Sequence, residues 1–128
     1  MILGIGIDII EVDRIRSSHT KFGERFLSRI LHEAEAEYCL SHKDPGPFIA
    51  ARFAAKEAIS KAFGTGIGAQ LSWKDMEVRR RESGEPYVVM HGAGADLLKS
   101  RGANVVLISL SHTLQHASAV AILETAPA

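Results

Sequence analysis

Asp8, Glu57 and Lys61 are the residues of this sequence whose types and spacing suit metal and phosphate chemistry. Glu57 and Lys61 stand four apart within PFIAARFAAKEAISKAF, so on a helix they share a face, and Arg52 and Lys56 lie close by. Ala50, Ala54 and Ala58 leave that face uncrowded by long side chains. A carboxylate held beside a lysine on a rigid element can fix a metal ion and a phosphate together. Asp8, in MILGIGIDII, supplies a second carboxylate if the helix packs across that segment. Magnesium takes oxygen ligands of this kind, one or two carboxylates with waters and substrate phosphates. The plainer alternatives stay open on spacing alone. Glu57 and Lys61 can be an exposed ion pair contributing about 0.3–0.5 kcal/mol, and Asp8 can cap the helix that follows.

A second cluster, Ser109-Leu110-Ser111-His112-Thr113, ends a β-prone run with three hydroxyls and an imidazole. On a strand Ser109 and Ser111 share one face, opposite Ile108 and Leu110. Such groups can hold phosphate oxygens by hydrogen bonding, and they are equally common in polar turns. Two other motifs are weaker. His112 and His116 have the spacing of a helical zinc pair but fall in a turn with no third ligand near in sequence. Gly64-Thr65-Gly66-Ile67-Gly68 follows a helix, whereas phosphate-binding glycine loops follow a strand and open one. No Ser/His/Asp or Cys/His arrangement is supported by spacing, and Cys39 falls on a helix as a core residue.

The elements that must position these groups follow from periodicity. In residues 2–10, Ile5, Ile7 and Ile9 point to one face of a strand, and Gly4, Gly6 and Asp8 to the other. The glycines permit a close backbone approach beside Asp8. A helix is expected from Glu11 or Val12 to about Ser18, and a second helical segment spans FGERFLSRILHEAEAEYCLSH with a break near His32. Phe22, Phe26, Ile30 and Leu31 have helical spacing within it. The strongest helix runs from about Pro47 to Phe63, with Phe48, Ala51, Ala55, Ile59 and Ala62 as a buried stripe and Gly64 as its stop. Asp75–Arg81 and Pro86–His91 read as a strand pair about Glu82-Ser83-Gly84-Glu85, and Ala93–Arg101 as a short helix. Asn104–Leu110 and Ala117–Leu123 form a second hairpin. The pattern is one α+β domain, an antiparallel sheet with helices packed on one face.

Composition narrows the class. The 128 residues carry no formal net charge, so nothing marks the chain as a nucleic-acid binder. No stretch approaches the roughly 18–20 apolar residues of a membrane span. The apolar N-terminus lacks a basic region and a cleavage site, and one cysteine permits no internal disulfide, so a reducing cytoplasm is expected. Charge is uneven, however. Arg14, Arg16, Lys21, Arg25 and Arg29 face only Glu24 among the acids of their stretch, which suits an acidic partner or a solvated helix face.

The segments GIGIDIIEVDRI, ERFLSRILHEAE, RFAAKEAISKAFGTGIG, DMEVRRRESGEPYV and LISLSHTLQHASAVAIL, in this order, resemble the holo-acyl-carrier-protein synthase family of phosphopantetheinyl transferases. The resemblance covers nearly the whole chain, and the central segment is its most specific part. It implies that Asp8 and Glu57 are Mg²⁺ ligands and that Lys61 binds the phosphates of coenzyme A. It further implies that Arg52, Ser109, Ser111 and His112 contact coenzyme A, with His112 near the 3′-phosphate and Gly84 and Pro86 beside the adenine. Glu57, Lys61 and His112 then stand as the catalytic residues, with Glu57 or His112 as the base. Arg14, Lys21 and Arg25 resemble the surface that docks an acidic acyl carrier protein. A homotrimer with active sites shared between subunits is implied as well, although no stripe of exposed apolar residues in the sequence marks a subunit contact. The other classes open on the residues alone are a non-catalytic coenzyme A or nucleotide-binding module and a structural oligomer that holds an acidic partner.

Overall fold

The computed structural model describes residues 1–127. In chain order the elements are β1 (Ile2–Glu11), α1 (Val12–Phe22), α2 (Glu24–Ile30), α3 (Glu33–Leu40) and α4 (Gly46–Phe63). A short 3₁₀ turn (Trp73–Asp75) leads to β2 (Met76–Arg80), β3 (Pro86–Met90), α5 (Gly92–Ser100), β4 (Val105–His112) and β5 (His116–Glu124). The class is α+β, and every strand pair is antiparallel. The β2–β3 hairpin forms a sheet of its own, while β1, β5 and β4 form a three-stranded sheet in that order. No helix among the described residues is long and apolar enough to cross a membrane.

Helix α4 is the centre of the molecule. It begins with Pro47 near its start, where a missing N–H costs nothing, and ends at Gly64 in the left-handed conformation (φ 76°). Its alanines are almost wholly buried against the large sheet. The approach is so close that a Cβ on Gly6 would run into the Ala58 carbonyl oxygen, and one on Gly4 into that of Ala62. The glycine side of β1 therefore admits helix backbone. Phe48 departs from the expected buried stripe, because its ring is only half-buried at the helix's first turn.

The strand register follows from that contact. Gly6, Ala121 and Ile108 form one cross-strand row facing α4, and Asp8, Ala119 and Leu110 form the next. The opposite face carries Ile5–Ile122–Leu107 and Ile7–Val120–Ser109. Nothing among the described residues covers this second face: Ile5, Ile7 and Ile9 are 67, 65 and 68% exposed. A contiguous exposed apolar stripe is thus present, contrary to the reading of the sequence. Alternation defines two faces of a strand without saying which one a helix will cover.

Between α2 and α4 the chain takes the expected break. Leu31 and His32 are extended, and α3 starts afresh. Helix α1 runs past Ser18 to Phe22, whose ring is 51% exposed and not part of the core. Beneath these helices Lys56 and Glu35 are completely buried as a pair, 2.9 Å apart. Lys56 also donates to the Ile30 carbonyl at 2.6 Å, and Glu35 accepts from the backbone N–H groups of His32 and Val78. Burial lowers the Lys56 pKa and Glu35 opposes that shift. The break at residues 31–32, α4 and β2 are stapled together by this one pair.

Candidate active site

Asp8 and Lys61 meet across the β1–α4 contact, with Nζ of Lys61 3.0 Å from Oδ1 of Asp8 and 3.0 Å from the Ile7 carbonyl. Asp8 is not a helix cap. It lies within β1, and the residue capping α1 is Glu11. The Ser118 hydroxyl donates to the Asp8 carbonyl at 3.1 Å and fixes the backbone there. Lys61 therefore pairs with Asp8, and no Glu57–Lys61 ion pair forms among the described residues. Glu57, one turn before Lys61, is half-buried. Its pKa is raised, chiefly by burial, next by the charge of Asp8, and is only partly offset by Lys61. Two carboxylates repelling each other at the end of a rigid contact, with one ammonium paired to Asp8, form a donor set that fits a hard divalent cation.

The second group of sequence-predicted residues converges on the same side of the sheet. Arg52, Gly84, Pro86, Ser111 and His112 line one cleft of about 390 Å³. Leu110, in the cross-strand row of Asp8, lines it too, so the cleft and the carboxylates share the α4 side of the sheet. Gly84 turns the β2–β3 hairpin at φ 91°, which brings the hairpin tip over the cleft. Arg52 is 3% exposed, its guanidinium carbon 4.3 Å from the centre of the Tyr38 ring. Its Nε has no hydrogen-bond partner among the described residues. A buried guanidinium without a carboxylate partner, facing a cleft, is a site for an anion.

Two residues of the cleft escaped the sequence reading. Phe48 packs edge-on against His112, with ring centres 4.9 Å apart, and stacks on His42 at 3.5 Å. Arg80 adds a second guanidinium. Arg80 lies in an arginine run that gave no indication of which member turns inward, and Phe48 has the spacing of an ordinary core residue. Ser109 does not line the cleft. It sits on the open face of the sheet beside Val120 and Ile7.

The basic residues are only partly gathered. Arg25 lines a groove of about 370 Å³ between α1 and α2 together with Arg29, Phe22 and Phe26. Arg14 is exposed on α1 with no ion pair among the described residues, and Lys21 lies over the Phe22 ring at 5.3 Å. Arg16 is spoken for, bound to Asp13 and Asp44.

The family model described as 4′-phosphopantetheinyl transferase superfamily matches residues 4–119. The chain belongs to this superfamily. It is 54% identical over 121 residues to a holo-[acyl-carrier-protein] synthase of Chlamydia trachomatis serovar L2, covering 94% of this chain and 98% of that one. The crystal structure of the holo-[acyl-carrier-protein] synthase from Neisseria meningitidis superposes with a TM-score of 0.90 at 34% identity, covering 98% of this chain and all of the other. A holo-(acyl-carrier-protein) synthase from Bacillus anthracis, solved in complex with CoA (3′,5′-ADP), gives 0.81 at 41% identity over 98% and 99% of the two chains. This superfamily member is an enzyme of the holo-[acyl-carrier-protein] synthase type, a phosphopantetheinyl transferase.

Proposed function

We propose that this chain, acting as one domain, transfers 4′-phosphopantetheine from coenzyme A to a serine hydroxyl of an apo acyl carrier protein. Adenosine 3′,5′-bisphosphate leaves, and Mg²⁺ is the required metal. The observation that carries this reading is the single cleft holding Arg52, Gly84, Pro86, Ser111 and His112, on the same sheet side as Asp8 and Glu57. The relative from Bacillus anthracis, crystallised with CoA (3′,5′-ADP), supports the choice of substrate.

In this reading Asp8 and Glu57 hold the Mg²⁺, which when bound neutralises pyrophosphate charge and polarises the phosphorus under attack. The serine oxygen forms a new P–O bond to the phosphorus that bears pantetheine. The bond from that phosphorus to the bridging oxygen of the adenosine bisphosphate breaks, and the serine proton passes to a base. Positioning and charge neutralisation supply most of the rate in such a transfer. Lys61 offsets charge on the leaving phosphate, and Arg52 and Arg80 clamp the nucleotide phosphates. Glu57, more basic than an ordinary glutamate through burial and Asp8, is the first choice of proton acceptor. His112, exposed at the cleft, is the alternative.

Arg14, Lys21 and Arg25 form the basic surface for the acidic carrier, with the Phe22 ring exposed among them. The open face of Ile2, Ile5, Ile7, Ile9 and Leu107 is the subunit contact of a homotrimer. Ser109 lies on that face, so its contact to coenzyme A belongs to a site shared with a neighbouring copy, while Ser111 reaches the cleft of its own chain. The buried Cys39, its thiol pushed up to about 11 by burial, suits a cytoplasmic enzyme that forms no disulfide.

The decisive experiment incubates apo acyl carrier protein with coenzyme A, Mg²⁺ and this protein and reads the carrier by mass spectrometry. A phosphopantetheine adduct that disappears on chelation of Mg²⁺ is expected. Absence of adduct on any carrier, with coenzyme A still bound, would leave only a binding module.

A further inference from the structure

His32, Glu77 and His91 form a second cluster of metal-type ligands, sharing no residue with the Asp8, Glu57 and Lys61 group. The three come from separate parts of the chain: the start of α3, the start of β2, and the residue before α5. One ligand atom of each lies within 4.8 Å of those of the other two. The two imidazole rings are 5.1 Å apart at an angle of 43°, too tilted for stacking to account for their meeting. Glu77 is buried at the back, and both imidazoles are half-buried, so the group opens to solvent on one side.

We propose that His32, Glu77 and His91 bind a zinc-class divalent transition-metal ion at a site separate from the catalytic carboxylates. Two imidazoles and one carboxylate with an open fourth position are a ligand set for Zn²⁺, Co²⁺ or Ni²⁺. They are a poor set for Mg²⁺, which takes oxygen donors. Hydrogen bonds hold the three ligands in place without an ion. His32 Nε2 lies 2.8 Å from the Lys74 carbonyl, and His91 Nε2 lies 2.8 Å from Oε1 of Glu77. Arg79 grips the same carboxylate at 3.0 and 3.1 Å, and it is the competitor an incoming ion displaces. Its side chain is 46% exposed and can swing into water. The Lys74 carbonyl, beside His32, is a further oxygen donor at the open side. A bound ion would tie the start of α3, β2 and the start of α5 through one centre, where now separate hydrogen bonds link His32 to the Lys74 carbonyl and His91 to Glu77. Its effect is to stabilise the fold.

The test uses the whole protein freed of metal, in excess Mg²⁺. Zn²⁺ is titrated against a chromophoric chelator, and Co²⁺ by its visible absorption. One ion per chain is expected, with the Co²⁺ spectrum of a low-coordinate nitrogen and oxygen site and a rise in the thermal midpoint with Zn²⁺. His32→Ala and His91→Ala should each weaken Zn²⁺ by about tenfold or more and remove the rise in midpoint. Asp8→Ala and His116→Ala should leave both unchanged. Should His32→Ala fold poorly, His91→Ala, at a 39% exposed side chain, carries the test alone. Failure to bind one equivalent, binding unaffected by His91→Ala, or binding lost in Asp8→Ala would each overturn the site. None of these outcomes depends on carrier modification, so this site and the proposed transfer reaction stand or fall separately.

Discussion

Lys56 and Lys61 stand five residues apart on α4, and each pairs with a carboxylate at close range, Lys56 with Glu35 at 2.9 Å and Lys61 with Asp8 at 3.0 Å. The surroundings differ in every other respect. Around the first pair both side chains are sealed from water, and the backbone supplies the partners that remain. Around the second, Lys61 is half exposed, Asp8 has one oxygen to spare, and Glu57 stands by with its charge disfavoured. A saturated pair can only hold the fold together. An unsaturated one retains valence for an ion and for phosphate, and it is the pair we propose for the chemistry.

Removing a carboxylate from the open group should be the largest blow to function. Asp8→Ala and Glu57→Ala should each lower carrier modification by about three orders of magnitude, in the range found when a group stabilising transition-state charge is lost. Their thermal midpoints should stay close to the parent's. Either variant transferring at the parent rate would end the distinction between the two pairs.

Breaking the sealed pair should act on the other axis. Lys56→Met leaves the Glu35 charge buried without a partner and should cost about 3–5 kcal/mol in denaturant unfolding. Combining it with Glu35→Leu should recover only part of that loss, since no buried charge is left behind but the His32 and Val78 N–H groups and the Ile30 carbonyl lose their partners. Little loss in the single variant would show that Glu35 neutralises without cost, and that the pair is not what staples α2 and α3 to α4.

These two pairs also show what could be read in advance. Glu57, Lys61 and Asp8 were legible as a set because helix spacing and strand alternation place them, and the family resemblance chose the metal reading over a salt bridge. That Lys61 pairs with Asp8 and not Glu57 was not legible, since it depends on α4 crossing β1 at Gly4 and Gly6. The same crossing decides that the isoleucines of β1 stay outside. Lys56 and Glu35 are 21 residues apart in sequence, and no local pattern announces a buried ion pair. Gly64 as the stop of α4 and the break at His32 were visible because each is written in a few neighbouring residues. The Phe48–His112 contact joins a helix start to a strand end and has no such signature.

A smaller effect separates the carrier surface from the chemical centre. Arg14→Glu should raise KM for the carrier several-fold at low salt and leave KM for coenzyme A nearly unchanged, with the difference shrinking as salt rises. Equal shifts for both substrates would move Arg14 out of the docking surface and into the fold.

The smallest expected effect tests whether the open group is held against its own stability. The Glu57 pKa is raised in the folded protein, so in the window between its unfolded and folded values the native state binds more protons than the unfolded chain. Stability then falls as pH rises through that window, and above it ionised Glu57 is a net cost to the metal-free fold. Glu57→Gln removes the charge and keeps the shape. In chelator, the variant should therefore be the more stable protein at neutral pH, and its advantage should vanish as the solution is taken below the unfolded glutamate pKa of about 4.3. Adding millimolar Mg²⁺ should reverse the order, because only the parent gains by binding it. A Glu57→Gln protein less stable than the parent in chelator would mean that the carboxylate is already satisfied within the fold. The contrast with Glu35 would then lie in exposure alone, not in unspent valence.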